Sequence, residues 1–280
     1  MTEGNDVARE EFPDTVSDDD PAFDTSVAHQ ARFYNYLIGG KDNYAADREY
    51  ARALLSVYPG LADTAKANRA YLRRAVRFLA GEAGLSQFLD IGTGIPSEGS
   101  THEVAQEVRP DSRIVYVDND PVVLAHARAF LVGRDPGTTD YLHADLHDPG
   151  HILAGAARTL DFSRPVGVLL ITILHAFSDD EDPYGIVSAL ADALPGGSYL
   201  AMTHWGTEAG SLDADAKVGD LTRQMSRQQY TPRSRAEFAR FFDGLELVEP
   251  GITRVQDWGA GPESAPGGGP AWWAGMARKP

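Results

Sequence analysis

The segment Gln87-Phe88-Leu89-Asp90-Ile91-Gly92-Thr93-Gly94 constrains this chain more than any other. A short apolar run closes on a carboxylate and passes straight into a Gly-x-Gly turn, the pattern of a buried parallel strand handing over to a nucleotide-binding loop. Glycine is needed because the turn is tight and the backbone must approach a ligand. The helix after such a turn aims its unpaired N–H groups at that ligand. The dinucleotide fingerprint Gly-x-Gly-x-x-Gly is not completed, because the run continues Ile95-Pro96-Ser97. Asp90, two residues before Gly92, places a fixed negative charge where a pyrophosphate is disfavoured. A ligand with an amino group and a sulfonium fits better than NAD.

Two further strands repeat the pattern. Arg113-Ile114-Val115-Tyr116-Val117-Asp118 ends in an acid 28 positions after Asp90, and the strand from Thr139 to Asp145 ends in another 27 positions later. An acid at the tip of the second strand binds a ribose diol through paired hydrogen bonds. The third is placed to accept from an adenine amino group.

Leu89-Asp90-Ile91-Gly92-Thr93-Gly94-Ile95-Pro96, Val115-Tyr116-Val117-Asp118-Asn119-Asp120-Pro121 and Asn35-Tyr36-Leu37-Ile38-Gly39-Gly40-Lys41-Asp42-Asn43-Tyr44 together resemble an actinobacterial S-adenosylmethionine-dependent methyltransferase family once catalogued as DUF574. The resemblance runs from about Val27 to the C-terminus, and Gly39–Asn43 is its specific part. It implies an α/β fold of the class I methyltransferase, Rossmann-like type: a seven-stranded, mostly parallel sheet with a C-terminal antiparallel hairpin and an N-terminal helical lid. It also implies S-adenosylmethionine as cofactor. Asp90 with Gly92, Thr93 and Gly94 would lie near the methionine end, Asp118 with Asn119 on the ribose, and Asp145 with Leu146 near the adenine. Tyr36, Gly40, Lys41 and Asn43 would reach the cofactor from the lid. The methyl acceptor is left open.

Composition narrows the partners. The chain has 280 residues, 42% of them hydrophobic, enough for one large α/β domain. Its net charge of −16 opposes bulk nucleic acid or anionic membranes as partners. Cysteine is absent, which excludes disulfides, thiolate zinc sites and cysteine nucleophiles. No stretch has the length of a membrane span or of a secretory core, so a cytoplasmic protein is expected.

Residues 1–24 read as a disordered acidic tail, 25–84 as the helical lid region and 85–280 as the catalytic α/β domain. Helices are expected from Ser26 to Ile38, Tyr44 to Val57, Asp63 to Ala80, Ser100 to Val108, Asn119 to Gly133, Ile152 to Thr159 and Asp180 to Leu194. Gly39 would cap the first, and either Asp42 or Asn43 caps the second or the segment is a lid. Val166 to Thr172, nearly all apolar, reads as the central strand. Ser198 to Thr203, Leu245 to Glu249 and Ala271 to Ala277 complete the sheet, with a loop at Gly259–Pro270. Between them lie a polar helical insertion, 207–230, at the edge where substrate selection is commonly built, and a capping box at Ser234–Glu237.

His143, Asp145 and His147 share a strand face, yet Asp148-Pro149 interrupts the period, so no metal site is assigned. His175, at the mouth of the central strand, is the catalytic candidate, a base for an acceptor hydroxyl or amine; a plain wall residue is the other reading. Methyl transfer from a sulfonium needs mainly alignment. The expected function is methyl transfer from S-adenosylmethionine to an oxygen or nitrogen of a small molecule. The alternatives are a non-catalytic S-adenosylmethionine-binding regulatory module, an NAD-dependent oxidoreductase and a polyamine-forming transferase. The oligomeric state is left open.

Overall fold

The computed structural model describes residues 24–120, 123, 126–127, 135–226, 228–259 and 269–280. Most of the acidic tail, most of the helix expected at 119–133 and most of the 259–270 loop therefore lie outside the described residues. The core is a parallel sheet of β1 (Gln87–Ile91), β2 (Arg113–Asp118), β3 (Thr138–His143), β4 (Gly167–Ile171) and β5 (Tyr199–Trp205) in the order β3-β2-β1-β4-β5. β8 (Trp272–Arg278) runs antiparallel along the whole of β5. Its other edge carries β6 (Glu246–Leu247) and then β7 (Thr253–Arg254). The expected seven-stranded sheet thus contains eight strands in seven positions, because Pro250 and Gly251 interrupt the outermost one, and β8 alone is reversed.

Alternation along the strands divides the interior in two, since successive side chains point to opposite faces. Phe88, Ile114, Tyr116, Leu169, Ala201, Trp272 and Ala274 join one cluster, while Leu89, Val115, Val117, Val168, Leu170, Met202 and Trp273 join the other. The second face is covered by α5 (Pro149–Ala156), α6 (Pro183–Ala193) and α8 (Arg235–Ala239), the last started by the expected reciprocal bonds of Ser234 and Glu237. The first is covered by α3 (Leu61–Gly81) and α4 (Thr101–Val108), over which α1 (Gln30–Leu37), α2 (Ala45–Val57) and α7 (Leu212–Met225) form a roof. α7 is the helical insertion expected at 207–230.

Long-range polar bonds join the roof. The Tyr50 hydroxyl meets Thr222 Oγ1 at 2.8 Å, Tyr58 donates to Asp215 at 2.8 Å and Tyr71 donates to the Gly275 carbonyl at 2.7 Å. Inside it, the buried Asp47 carboxylate pairs with Arg32 at 3.0 Å and accepts from the Tyr44 N–H at 2.8 Å. Asp47 therefore completes the start of α2 in place of Asp42 or Asn43. Other boundaries shift by a few residues. β3 stops at His143, leaving Asp145 in the following turn, and β5 continues through His204 to Trp205.

Candidate functional site

A cavity of about 330 Å³ runs along the carboxyl edge of the sheet, from the tip of β3 to the start of β8. In open α/β sheets ligands bind at this edge, where the strand order reverses, and here the reversal falls at β1 between β2 and β4. The strand order fixes the order of the walls. Asp145 and Leu146 stand beyond β3, Asp118 and Asn119 at β2, and Asp90, Gly92, Thr93 and Gly94 at β1. Thr172 and His175 follow at β4, and then Trp205 and Trp272 at β5 and β8.

In the β1–β3 half, backbone and side-chain donors hold the carboxylates. Asp118 accepts from the Gly94 N–H at 3.0 Å and the Asp120 N–H at 2.9 Å; enclosure pushes its carboxyl up to about 6 despite those bonds. Asp90 is buried, accepts from Thr101 Oγ1 at 2.6 Å and is likewise pushed up by burial to about 6. Burial also raises Asp145, but the His147 N–H at 2.9 Å and Asn119 Nδ2 at 2.9 Å outweigh it and hold its carboxyl below the usual range. His147 bridges Asp145 at 2.5 Å and Glu181 at 3.1 Å, an ion-pair role rather than a metal-ligating one. Gly92 adopts φ +76°, and a Cβ there would overlap Ile173, so the turn packs directly under the loop after β4.

The structure places the sequence-expected residues in two groups. Asp90, Gly92, Thr93, Gly94, Asp118, Asn119, Asp145, Leu146 and His175 line this cavity. Tyr36, Gly40, Lys41 and Asn43 do not; Gly40, with Gly39 and Asp42, lines an adjoining cavity that shares Ile38, Arg69 and Ser97 with the first. The helix α1 ends in a paired turn, with Gly39 N–H to Tyr36 O at 3.0 Å and Gly40 N–H to Asn35 O at 2.8 Å, and Gly39 at φ +90°. Asn35 Oδ1 accepts from the Asp42 N–H and from Asn43 Nδ2, both at 3.0 Å, and Asn43 also donates to the Gly40 carbonyl. The segment is thus folded on its own asparagines. Tyr36 faces the Arg52 guanidinium, 5.9 Å from its ring, and Lys41 is exposed. From α1 and its two caps, His29, Gln30, Ala31, Phe33, Tyr34 and Ile38 reach the cavity.

His175 sits in a single 3-10 turn, Leu174–Ala176, and is buried. The Gln30 amide nitrogen lies 3.0 Å from the Thr172 carbonyl and 3.2 Å from His175 Nε2. A carbonyl only accepts, so this atom is the NH2 and its second hydrogen faces His175 Nε2. The imidazole proton therefore resides on Nδ1. Burial, with the Arg233 charge nearby, pushes His175 down to about 4, so the ring is neutral. This arrangement disfavours the base expected of it: Nδ1 carries a proton and Nε2 is engaged. Behind it, Arg233 donates to the Leu174 carbonyl at 3.1 Å, the Phe177 carbonyl at 3.0 Å and His204 Nε2 at 2.9 Å. His204 thus belongs to the scaffold of the loop after β4.

Several cavity residues escaped the sequence reading. Asn68 donates to Thr172 Oγ1 at 2.7 Å and to Tyr34 at 2.9 Å. Thr172 holds φ +58°, a strained value for a β-branched residue and one that accumulates at functional sites. Arg69, Trp205 and Trp272 complete the wall. Among the described residues, the buried side-chain atoms without a hydrogen-bond partner include Asn68 Oδ1, Arg69 Nε, His175 Nδ1, Trp205 Nε1 and Trp272 Nε1 on residues that line the cavity, and Arg109 Nε, Arg233 Nε and Trp258 Nε1 on residues that do not. Each such group costs about 1–3 kcal/mol until something pairs with it.

The comparisons with known proteins point the same way. A family model described as S-adenosyl methyltransferase matches residues 17–280. A DUF574 family protein from Streptomyces avermitilis is 44% identical with a TM-score of 0.85, covering 91% of this chain and 99% of its own. A protein from Thermobifida fusca described as a candidate methyltransferase is 43% identical with a TM-score of 0.82, covering 92% of this chain and 97% of its own. The magnesium protoporphyrin IX methyltransferase of Synechocystis, 12% identical with a TM-score of 0.53 over 89% of this chain and 93% of its own, shares the fold. No curated protein matches. With the acids, the glycine turn and the strand order in their places, the match over nearly the whole length settles the family: this chain belongs to the S-adenosyl methyltransferases.

Proposed function

We propose that the chain transfers the methyl group of S-adenosylmethionine to an oxygen or nitrogen of a small molecule. The observation that carries this is the division of one cavity into a carboxylate-lined half over β1–β3 and an aromatic half over β4, β5 and β8. A nucleoside with a cationic end fits the first half. Asp118, already positioned by two backbone N–H groups, has free lone pairs for a ribose diol. Asp145 and Leu146 would flank the adenine, and Asp90 would face the amino group. Arg69, which lines the cavity near Asp90, supplies a guanidinium charge suited to the carboxylate.

The bound cofactor supplies an activated methyl group. The protein's share is orientation: β1 and β2 fix the nucleoside, while Thr172 and His175 wall the space beside the methyl position. The roof residues Gln30 and Tyr34 shut out water from that side.

Calorimetric titration with S-adenosylmethionine, S-adenosylhomocysteine and NAD tests the reading. Micromolar binding of both sulfur nucleosides, none of NAD, and loss of binding in Asp118→Ala are expected. Binding of NAD alone, or of nothing by folded protein, sinks it. A non-catalytic cofactor-binding role is the second reading, favoured by the absence of a free base at His175. Tight binding without turnover on any acceptor would select it.

A further inference from the structure

We propose that the second cavity, between the turn after α1 and the loop after β1, holds the carboxylate or phosphate of a small molecule bound together with the cofactor, with Lys66 and Arg73 as its cations. This site lies beyond the methyltransferase reading and is built from residues which that reading does not use.

The cavity measures about 410 Å³, the size of a small-molecule site. Gly39, Gly40 and Asp42 form one wall, Pro96, Ser97 and Glu98 another, and α3 supplies the cations. Ile38, Arg69 and Ser97 are common to it and the cofactor's cavity, whereas Lys66 and Arg73 line the second alone. A molecule anchored there by its anion therefore lies against the cofactor's cavity without occupying it.

The cations share a face because positions 66, 69 and 73 recur at the three- and four-residue spacing of a helix. Two other arginines of α3 serve the fold: Arg74 donates to the Trp258 carbonyl at 2.7 Å and the Val255 carbonyl at 3.1 Å, and Arg77 pairs with Glu107 at 2.7 Å. Toward the cavity nothing comparable is made. Among the described residues Arg73 has no hydrogen bond or ion pair, and Lys66 has only a 3.9 Å approach to the exposed Asp63. A Cβ on Gly99 would lie 2.7 Å from Arg73 Cδ, so the arginine stem rests on the loop after β1. None of its guanidinium nitrogens is sealed from solvent.

The ligand's charge follows from this arrangement. Asp42 and Glu98 face the same cavity from its loops, yet neither pairs with Lys66 or Arg73, so the α3 side stays positive. Arg73 offers paired N–H groups and Lys66 a point charge, the combination that suits a carboxylate or phosphate. The net charge of −16 opposes a polyanion approaching the whole molecule, but it is screened beyond about 10 Å and leaves a small anion free to enter. The cofactor's own carboxylate has the same chemistry; Arg69, on the boundary, is the cation nearest its cavity.

The test is calorimetric titration with phenyl phosphate, benzoate and neutral benzyl alcohol, on the free protein and on protein saturated with S-adenosylhomocysteine. Expected is at least about tenfold tighter binding of both anions than of the alcohol, weakened by salt and kept within about threefold when S-adenosylhomocysteine is bound. Arg73→Gln should weaken phenyl phosphate about tenfold and the more exposed Lys66→Gln about threefold, with S-adenosylhomocysteine affinity and the melting midpoint unchanged. Glu98→Gln, which removes a like charge from the wall, should tighten it. Displacement of phenyl phosphate by S-adenosylhomocysteine would assign these cations to the cofactor's carboxylate and overturn the proposal. Equal binding of the alcohol, or full anion affinity in the variant carrying both Arg73→Gln and Lys66→Gln, would overturn it as well. Failure of S-adenosylhomocysteine to bind would remove the methyltransferase reading instead, and the anion site would still be judged by the titration of the free protein.

Discussion

The two halves of the cavity are built on opposite principles. Over β1–β3 each carboxylate already has donors from the chain: Gly94 and Asp120 for Asp118, Thr101 for Asp90, Asn119 and His147 for Asp145. Over β4, β5 and β8 four polar atoms, Asn68 Oδ1, His175 Nδ1 and the two indole Nε1, have none, and the walls are large rings shared with the core. The first half is a finished receptor whose fold tolerates it as it stands. The second is a stretch of core that opens onto a cavity, so ligand recognition and fold stability depend there on the same side chains.

That contrast can be broken experimentally. The largest effect is expected at Trp272, which is 1% exposed and stacked among Tyr34 and Trp205. Trp272→Ala should cost about 3–5 kcal/mol of stability, read as a lowered denaturation midpoint. If only ligand binding fell, the aromatic half would not be core. Asp118→Ala should do the reverse, leaving stability nearly unchanged while weakening S-adenosylhomocysteine about 100-fold, the worth of paired hydrogen bonds to a charged group. A large loss of stability there would erase the distinction.

Acidity should sharpen it further. Asp118 and Asp90 are raised to about 6, so below that pH they become protonated and cofactor affinity should fall, by about tenfold per pH unit for each group that must be charged. Stability responds in the opposite sense. A buried acid with a raised value stabilises the fold below 3.8, and that contribution is lost as the pH rises through about 6. His175, lowered to about 4, works against this, withdrawing stability as the pH falls from 6.5 toward 4. Melting profiles of the free protein should therefore be flatter between pH 4 and 6.5 than cofactor affinity measured over the same interval. The smallest effect is expected at Asn43→Ala, about 1 kcal/mol of stability through the lost turn bonds to Asn35 and Gly40, with cofactor affinity within about twofold. A tenfold loss of affinity would instead return the Gly39–Asn43 segment to the cofactor.

What could be read in advance divides along the same line. Asp90, Gly92 and Asp118 were legible because everything that places them is local: an apolar strand, its terminal acid, then a turn only glycine permits. The parallel sheet followed from the same signals. The aromatic half was not legible, because Trp205 and Trp272 meet only through the register of an antiparallel strand contributed 67 positions later. Asn68 and Arg69 sit on a helix whose pattern shows only its buried face. The Tyr36–Asn43 segment illustrates the converse: its glycines and asparagines are distinctive, but the structure uses them to fold a turn around Asn35.

The roof has a consequence for the order in which the molecule can be completed. Helices α1–α3 leave the ribosome first, yet their partners are α7 through Tyr50–Thr222 and Tyr58–Asp215, and β8 through Tyr71–Gly275 and Tyr34–Trp272. Those contacts join opposite ends of the sequence, so their loop-closure entropy is met only when the final strand has paired. The ligand cavity is consequently one of the last features to form, and a chain stalled before Trp272 holds a cofactor turn under an unfinished roof.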